Sequence, residues 1–450
     1  MKKHWPLLLI LFLGLALRLY KITARDFWYD ESFTAVLISW DWRAMWQGIL
    51  NDVHPPLYYL LLKPFSLLLG WTPFGLRFFS TLFSTASIFL VYKIGARFAL
   101  THKDKAGLAA AFITAIAPFQ IQYAQEARQY ALMGFLALCA LYFVIKKQSK
   151  FNFLLAGAFL SLTFLTQYAG ILVLPAILMV AFILTFEKRF RFFTFAKKAS
   201  KRIILISIPV SLAFLAWLPI FKRHRENMGN PAWIPNPTLS RFAQSIYTFV
   251  FGEWPKQAGV SVPNENFFGI GTVILGLVVL VFLVIVLAKR CKLSNFAFII
   301  FTLTILLESY VLAHFLGINF YMERYLFTAS FGIYISLGLV AARLESFKKF
   351  TGVALLGLIT LLTITIRQKP LDQRFQTLAK IVPEGKYQTI VATSPFDYPT
   401  AIFYLYKKAP NFKVYNKQNP TEDLSGWVVI GPNQVDSLSN LNPQTTLVLD

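Results

Sequence analysis

Eleven apolar segments, separated by short polar breaks, run through most of this 450-residue chain. A helix crosses a hydrocarbon core in roughly 20 residues. Many of these segments are long enough to do so, which points to an all-α, polytopic membrane protein. The expected spans are 5–20, 76–97, 106–119, 130–145, 151–167, 169–186, 203–220, 268–288, 295–315, 326–342 and 350–366. The run 57–69 is apolar but short and is interrupted by Lys63-Pro64. It reads as an interfacial helix rather than a crossing.

Charge sets the orientation. The formal net charge is +23, a value that would suggest nucleic acid in a soluble protein. Here the basic residues collect in alternate loops. Met1–Lys3, Arg97–Lys105, Lys146–Lys150, Glu187–Arg202, Lys289–Lys292 and Arg343–Lys349 together hold 21 basic and 3 acidic residues. The loop Lys21–Pro56 holds 3 basic and 5 acidic ones. By the positive-inside rule the first group faces the cytoplasm. The N-terminal segment therefore reads as an uncleaved first span starting in the cytoplasm, since bulky Arg18-Leu19-Tyr20-Lys21 offers no cleavage site. Outer segments are 21–75, the short loop near 118–130, and 222–267. Two domains are expected: 1–366 in the membrane, and a small soluble α/β domain over 367–450 on the outer side. In the latter, 388–392, 412–415, 427–430 and 446–449 have strand character and 398–407 reads as a helix. The two cysteines, Cys139 and Cys291, lie in a span and a cytoplasmic loop, so neither a disulfide nor thiol chemistry is expected.

The outer loops carry the residues with chemical potential. Asp30-Glu31 follows the first span. Asp30 reads as an N-cap and Phe33, Val36, Leu37 and Trp40 form one apolar stripe, so a surface helix is expected with Trp28, Trp40, Trp42 and Trp46 as interfacial anchors. The acids are either a helix cap and its favourable first turn or acid/base groups at a membrane surface. Further on, Asp52-Val53-His54-Pro55-Pro56-Leu57-Tyr58-Tyr59 gives a stiff double-proline start to the interfacial helix, with His54 either a turn cap or a substrate contact. The second outer loop contains Glu126-Ala127-Arg128-Gln129-Tyr130. Arg324-Tyr325 opens the tenth span and suits a phosphate at headgroup depth. The cluster Lys222-Arg223-His224-Arg225 is basic on the side that is otherwise poor in such residues, which also suggests an anion. Trp233, Tyr247 and Trp254 are candidates to stack on sugar or lipid, or to pack loops onto the membrane. Gly-rich phosphate loops, HExxH motifs and nucleophile elbows are missing from the sequence.

In this order and spacing, together with Arg77, Phe78 and Ser80 opening the second span, the motifs resemble the GT-C glycosyltransferases. These polytopic enzymes use a lipid-phosphate-linked sugar as donor. The resemblance is to the branch of protein O-mannosyltransferases, aminoarabinose transferases of lipid A and transferases of lipopolysaccharide core, and it covers most of the membrane region. It implies that Asp30 is the general base, that Glu31 orients it, and that Glu126 takes the place of a second acid, which is Asp in some relatives. Substrate contacts are expected at His54, Tyr58, Arg128, Tyr130, Arg223, Arg324 and Tyr325, with Arg128 and Arg324 facing the polyprenyl phosphate. No cofactor is assigned, and a divalent cation is allowed under the resemblance. Expected partners are a polyprenyl-phosphate-linked sugar, membrane lipid, and a protein, glycolipid or polysaccharide acceptor. The expected location is the plasma or inner membrane. A transporter of a polyisoprenoid-linked saccharide is the alternative. It should show an internal repeat and midplane polar sites, whereas here the polar clusters sit in outer loops.

Overall fold

The computed structural model describes residues 5–99, 103–146, 149–187, 192–228, 234, 236–253, 265–288, 293–319, 321–343, 373–418, 433–435, 437–439 and 441–449. The helices in chain order are α1 Trp5–Leu19, α2 Tyr29–Ser39, α3 Trp42–Asn51, α4 Leu57–Leu69, α5 Pro73–Phe98, α6 Lys103–Ile116, α7 Pro118–Ala124, α8 Tyr130–Ile145, α9 Lys150–Thr166, α10 Val173–Phe186, α11 Phe192–Met228, α12 Leu239–Phe251, α13 Glu265–Ala288, α14 Ala297–Leu316 and α15 Ala329–Ala341. Each expected span up to 342 is occupied by helix. The expected span 350–366 and the domain boundary beside it lie outside the described residues, as do Trp233, Trp254, Cys291 and the strand 427–430. This is a multi-pass membrane protein. Five helices are long and apolar enough to cross a membrane among the described residues, or six if a bent pair counts as one. Helices α1, α8, α9 and α15 are shorter. In the case of α15 the apolar run starts in the preceding turn, where Leu326 and Phe327 are fully buried.

The expected third span is broken rather than straight. Helices α6 and α7 meet at 59°. Pro118 has no N–H, so the carbonyl of Thr114, four residues before it, loses its helical donor. Arg18, buried in α1, supplies the replacement. Its Nη2 donates to the Thr114 carbonyl (3.2 Å) and its Nη1 to those of Ala115 (2.9 Å) and Gly14 (2.9 Å), while Nε donates to Ser84 Oγ (2.8 Å). An intramembrane charge thus serves to satisfy a helix break. The turn after the break brings the loop 125–129 to α2, where Ala127 and Arg128 meet Glu31 and Asp30.

Other ends are set by ordinary caps. Thr72 accepts from Gly75 N and Pro73 follows it at the start of α5. Asp41 caps α3 through Arg43 N and Ala44 N. Small residues let spans approach closely. A Cβ on Gly338 of α15 would stand 2.5 Å from Ala110 Cβ and 2.8 Å from the Ala106 carbonyl of α6.

After the membrane region come α16 Arg374–Ile381, β1 Thr389–Ala392, α17 Tyr398–Leu405, β2 Asn411–Val414 and β3 Thr446–Leu449. The strands form a parallel sheet of order β2-β1-β3, with Thr389 opposite both Asn411 and Thr446. Its Ala392, Tyr398, Phe403 and Val414 share one hydrophobic core with Phe33, Val36, Leu37, Tyr58 and Tyr59 from α2 and α4. That core corrects one expectation. Helix α2 does not lie on a surface with one face open: every residue from Glu31 to Ile38 is buried, because α17 covers the face that the sequence pattern left polar.

Candidate active site

Helix α2 begins two residues earlier than the sequence suggested. Trp28 is its N-cap residue, and Asp30 sits in the first turn without forming a capping bond. The adjacent carboxylates then diverge. The Glu31 side chain is fully buried and pairs with Arg77 of α5 through two parallel bonds, Nε to Oε1 and Nη2 to Oε2, both 2.8 Å. Its Oε1 also accepts from Ala127 N at 2.8 Å. Arg77 donates in addition to the carbonyls of Ile22, Arg25 and Asp26. Burial works against the Glu31 charge, but Arg77 beside it holds the carboxyl below the usual carboxylate range. This pair ties the start of α2 to α5 and to the loop 125–129.

The Asp30 side chain is 23% exposed and faces a cavity of about 330 Å³. Around it stand Tyr29, Asp52, His54, Arg128, Gln167, Tyr168, Asn227, Asn319, Arg324 and Tyr325 among the lining residues. Arg128 is buried and held from three sides. Nη1 donates to the Asp30 carbonyl (3.1 Å) and Thr34 Oγ1 (3.0 Å), and Nη2 meets His54 Nε2 at 3.1 Å. The same Nη2 lies 3.8 Å from Asp30 Oδ2. Burial opposes the Arg128 charge, yet Asp30, Tyr59, Tyr130 and Asp52 outweigh it, so its pKa is raised and it stays cationic.

His54 is oriented in turn by Asp52, whose Oδ2 accepts from His54 Nδ1 (3.0 Å) and from the Tyr59 hydroxyl (3.2 Å). These partners assign the ring's tautomer: Nδ1 carries the proton toward Asp52, and Nε2 accepts from Arg128. Burial opposes the Asp52 charge, and the adjacent His54 ring with its hydrogen bond holds that carboxyl below the ordinary range. Arg324 sits over the rings of Trp28 (5.5 Å) and Tyr325 (5.3 Å). Its pKa is also raised, with Tyr130, Tyr325 and Asp30 outweighing its burial.

Of the residues expected at the site, Asp30, His54, Arg128, Arg324 and Tyr325 come together on this cavity. The others stand behind it. Glu126 is buried with Oε1 3.8 Å from Arg25 Nη2. The Tyr58 hydroxyl meets Ser80 Oγ at 3.2 Å, and Ser80 donates to the Arg128 carbonyl at 3.1 Å, so Tyr58 buttresses the loop 125–129. Tyr130 packs edge-on against Tyr123 and near Tyr325. Arg223 donates to Asn51 Oδ1 at the end of α3. In its cluster, His224 is buried, its Nδ1 taking the Tyr168 hydroxyl at 2.7 Å, and Trp217 Nε1 donates to the same hydroxyl at 2.9 Å. Tyr247 lies in α12 against Phe251.

Sequence reasoning missed Gln167 and Tyr168. Their signal was a polar break between two apolar runs, and the structure makes it a 3₁₀ turn over Tyr168–Leu172 in the wall facing Asp30. Asp52 was visible only as part of a motif. The donor set does not fit Mg²⁺ or Ca²⁺. These ions take several oxygen ligands, whereas Asp52 is engaged by His54 and Tyr59, and Asp30 stands beside the Arg128 guanidinium. Among the described residues no group of three or more acidic, His or Cys side chains is placed to hold a metal ion.

Residues 53–217 match the family described as dolichyl-phosphate-mannose-protein mannosyltransferase. Curated protein sequences give no match. Among solved structures, ArnT from Cupriavidus metallidurans bound to undecaprenyl phosphate is 14% identical, with a TM-score of 0.60 over 96% of this chain and 90% of its own. The Archaeoglobus fulgidus oligosaccharyltransferase is 14% identical in its apo form, with a TM-score of 0.53 over 93% of this chain and 66% of its own. The archaeal oligosaccharyltransferase AglB from Archaeoglobus fulgidus, in complex with an inhibitory peptide and a dolichol-phosphate, is 13% identical, with a TM-score of 0.54 over 93% of this chain and 66% of its own. The chain thus spans just under two thirds of the archaeal enzyme's length. At these identities the likeness is one of fold: this chain has the polytopic GT-C fold of membrane glycosyltransferases, and its residues 53–217 carry the sequence pattern of the protein-mannosyltransferase family.

Proposed function

We propose that the protein transfers a sugar from a polyprenyl-phosphate-linked donor to an acceptor on the extracytoplasmic face of the cell membrane, with the N-terminus cytoplasmic and residues 367–450 outside. The observation that carries this reading is a partly open carboxylate, Asp30, sharing one cavity with two guanidiniums, Arg128 and Arg324. The likeness in fold to enzymes whose structures hold undecaprenyl phosphate or dolichol-phosphate supports it.

In this reading Asp30 takes the proton from the acceptor hydroxyl or amine as that group attacks the anomeric carbon. The glycosyl–phosphate bond breaks as the new bond forms, and the leaving electrons settle on the phosphate. One displacement inverts the anomeric centre. Arg324, on an aromatic platform at the cavity wall, meets the charge growing on the phosphate, and a donor placed there in advance lowers the barrier selectively. Arg128 has most of its donors engaged by Asp30, Thr34 and His54, so its part is to fix Asp30 and add positive potential. Glu31, Tyr58 and Glu126 position rather than react. The activated donor supplies the driving force, so no nucleotide is needed at the site.

The test is a panel of polyprenyl-phosphate-linked sugars offered to the purified protein with candidate acceptors. The expected result is release of free polyprenyl phosphate with sugar transferred in the inverted configuration, read by NMR of the product. Retention of configuration, or no donor consumed across the panel, contradicts the proposal.

A further inference from the structure

Among the described residues the C-terminal domain meets the membrane domain at Trp71, whose ring lies 4.6 Å from that of Phe403 and 5.2 Å from that of Tyr406, and along the segment carrying Asp30. The second contact bears on the Asp30 carboxylate. The Asp26 carboxylate accepts from the backbone N–H groups of Phe375 (2.6 Å) and Gln376 (3.2 Å), capping the first turn of α16 from outside that helix. Phe27 N donates to the Tyr404 hydroxyl at 3.1 Å, and the Phe27 and Phe403 rings lie 4.6 Å apart. The Ser32 and Thr400 hydroxyls are 2.8 Å apart and both buried. Phe396 packs edge-on against Tyr29, itself part of the cavity wall, at 5.4 Å.

Helical geometry gives these contacts a direction. Successive residues turn by about 100°, so Ser32 points roughly opposite to Asp30. The domain therefore grips the back of α2 while Asp30 faces the cavity. From within the membrane domain, Arg77 donates to the carbonyl of Asp26 (3.0 Å) and to Glu31, so the two-domain contact and the buried ion pair share a residue. At its far end α2 is closed by Lys63, which donates to the carbonyls of Ile38 (2.8 Å) and Trp40. Without the C-terminal domain, the hydroxyl of Ser32 and the hydrophobic face around it would be open to solvent.

We infer that the C-terminal domain is a working part of the active site: Thr400 and Tyr404 are positioning residues that set the register of α2 and, through it, the aim of Asp30. The inference rests on the function proposed above. It separates catalysis from donor binding, because Thr400 and Tyr404 touch α2 and its preceding loop and are not part of the cavity wall. A misplacement of about 1 Å in a reacting group costs on the order of a hundredfold in rate, so even a partial loss of register is measurable.

The test uses the full-length protein in detergent, with Thr400→Val, Tyr404→Phe, their combination and Thr400→Ser. The expected result for the combination is a kcat lowered about tenfold or more, a donor KM within about twofold of wild type, and faster amide exchange across residues 29–36. Thr400→Ser, which keeps the hydroxyl, restores both exchange and kcat in the Thr400 single-site comparison. Wild-type exchange and kcat in the combined variant overturn the inference, and so does a change confined to KM. If wild type consumes no donor at all, the proposed function fails, and amide exchange alone then decides whether these residues position α2. If the combined variant does not fold, the comparison of Thr400→Val with Thr400→Ser carries the same decision.

Discussion

Neighbouring carboxylates with opposite fates mark the residue scale. Glu31 has no exposure, two bonds to Arg77 and one from Ala127 N, while Asp30 reaches the cavity with Arg128 at 3.8 Å. The first arrangement is costly to break from one side, because removing one partner leaves a buried charge. Glu31→Gln is expected to destabilise the protein by about 3–5 kcal/mol, read as a lower thermal midpoint in detergent. The pH dependence follows from the direction of the shift. A carboxyl held below its ordinary value of about 4.3 contributes stability that is complete above that value and is lost as pH falls through the lower, folded one. Wild type should lose midpoint below about pH 4, and Glu31→Gln should lose less over the same window. An identical acid slope in both proteins contradicts this assignment. The sequence showed the two acids but not the division between them, since Arg77 lies 46 positions away and only the packing of α5 on the loop brings it there.

Helices record how much of the structure was legible at the next scale. Apolar length is a strong local signal, and so the helices fall where the long apolar runs predict them, including the short helix Leu57–Leu69. What sequence could not supply was long-range. The break at Pro118 depends on Arg18 from α1 filling carbonyls almost a hundred residues on. The burial of α2 depends on α17, whose Thr400 is 368 positions from Ser32. A stripe pattern predicts one buried face and is silent about a second face covered from elsewhere. Close helix approach was likewise hidden in small residues. At Gly338 a methyl group would enter the space held by Ala110 and the Ala106 carbonyl, so Gly338→Ala should overpack α6 against α15 and cost about 1–3 kcal/mol. The thermal midpoint checks this, and an unchanged midpoint means the two helices part freely.

At the scale of the whole molecule, three guanidiniums converge on the segment that carries Asp30. Arg77, Arg128 and Arg324 come from segments far apart in sequence, yet each ends beside the 21–56 loop or in the cavity it borders. A lipid-linked donor fits such a layout, with its tail in the bilayer and its phosphate at the headgroup plane. The candidate site was legible in part: alternating loop charge assigned these motifs to a single side, and the structure brings Asp30, His54, Arg128, Arg324 and Tyr325 onto one cavity. The wall opposite, built from Gln167, Tyr168 and Asn227, had no charge pattern to announce it. The account stands on Asp30 as the base. Its most direct test is the single-turnover rate of Asp30→Asn at saturating polyprenyl-phosphate-linked sugar, with donor affinity measured alongside. Loss of a general base predicts a rate lower by roughly a hundredfold to ten-thousandfold with affinity little changed. A variant that transfers sugar at the wild-type rate would contradict the account.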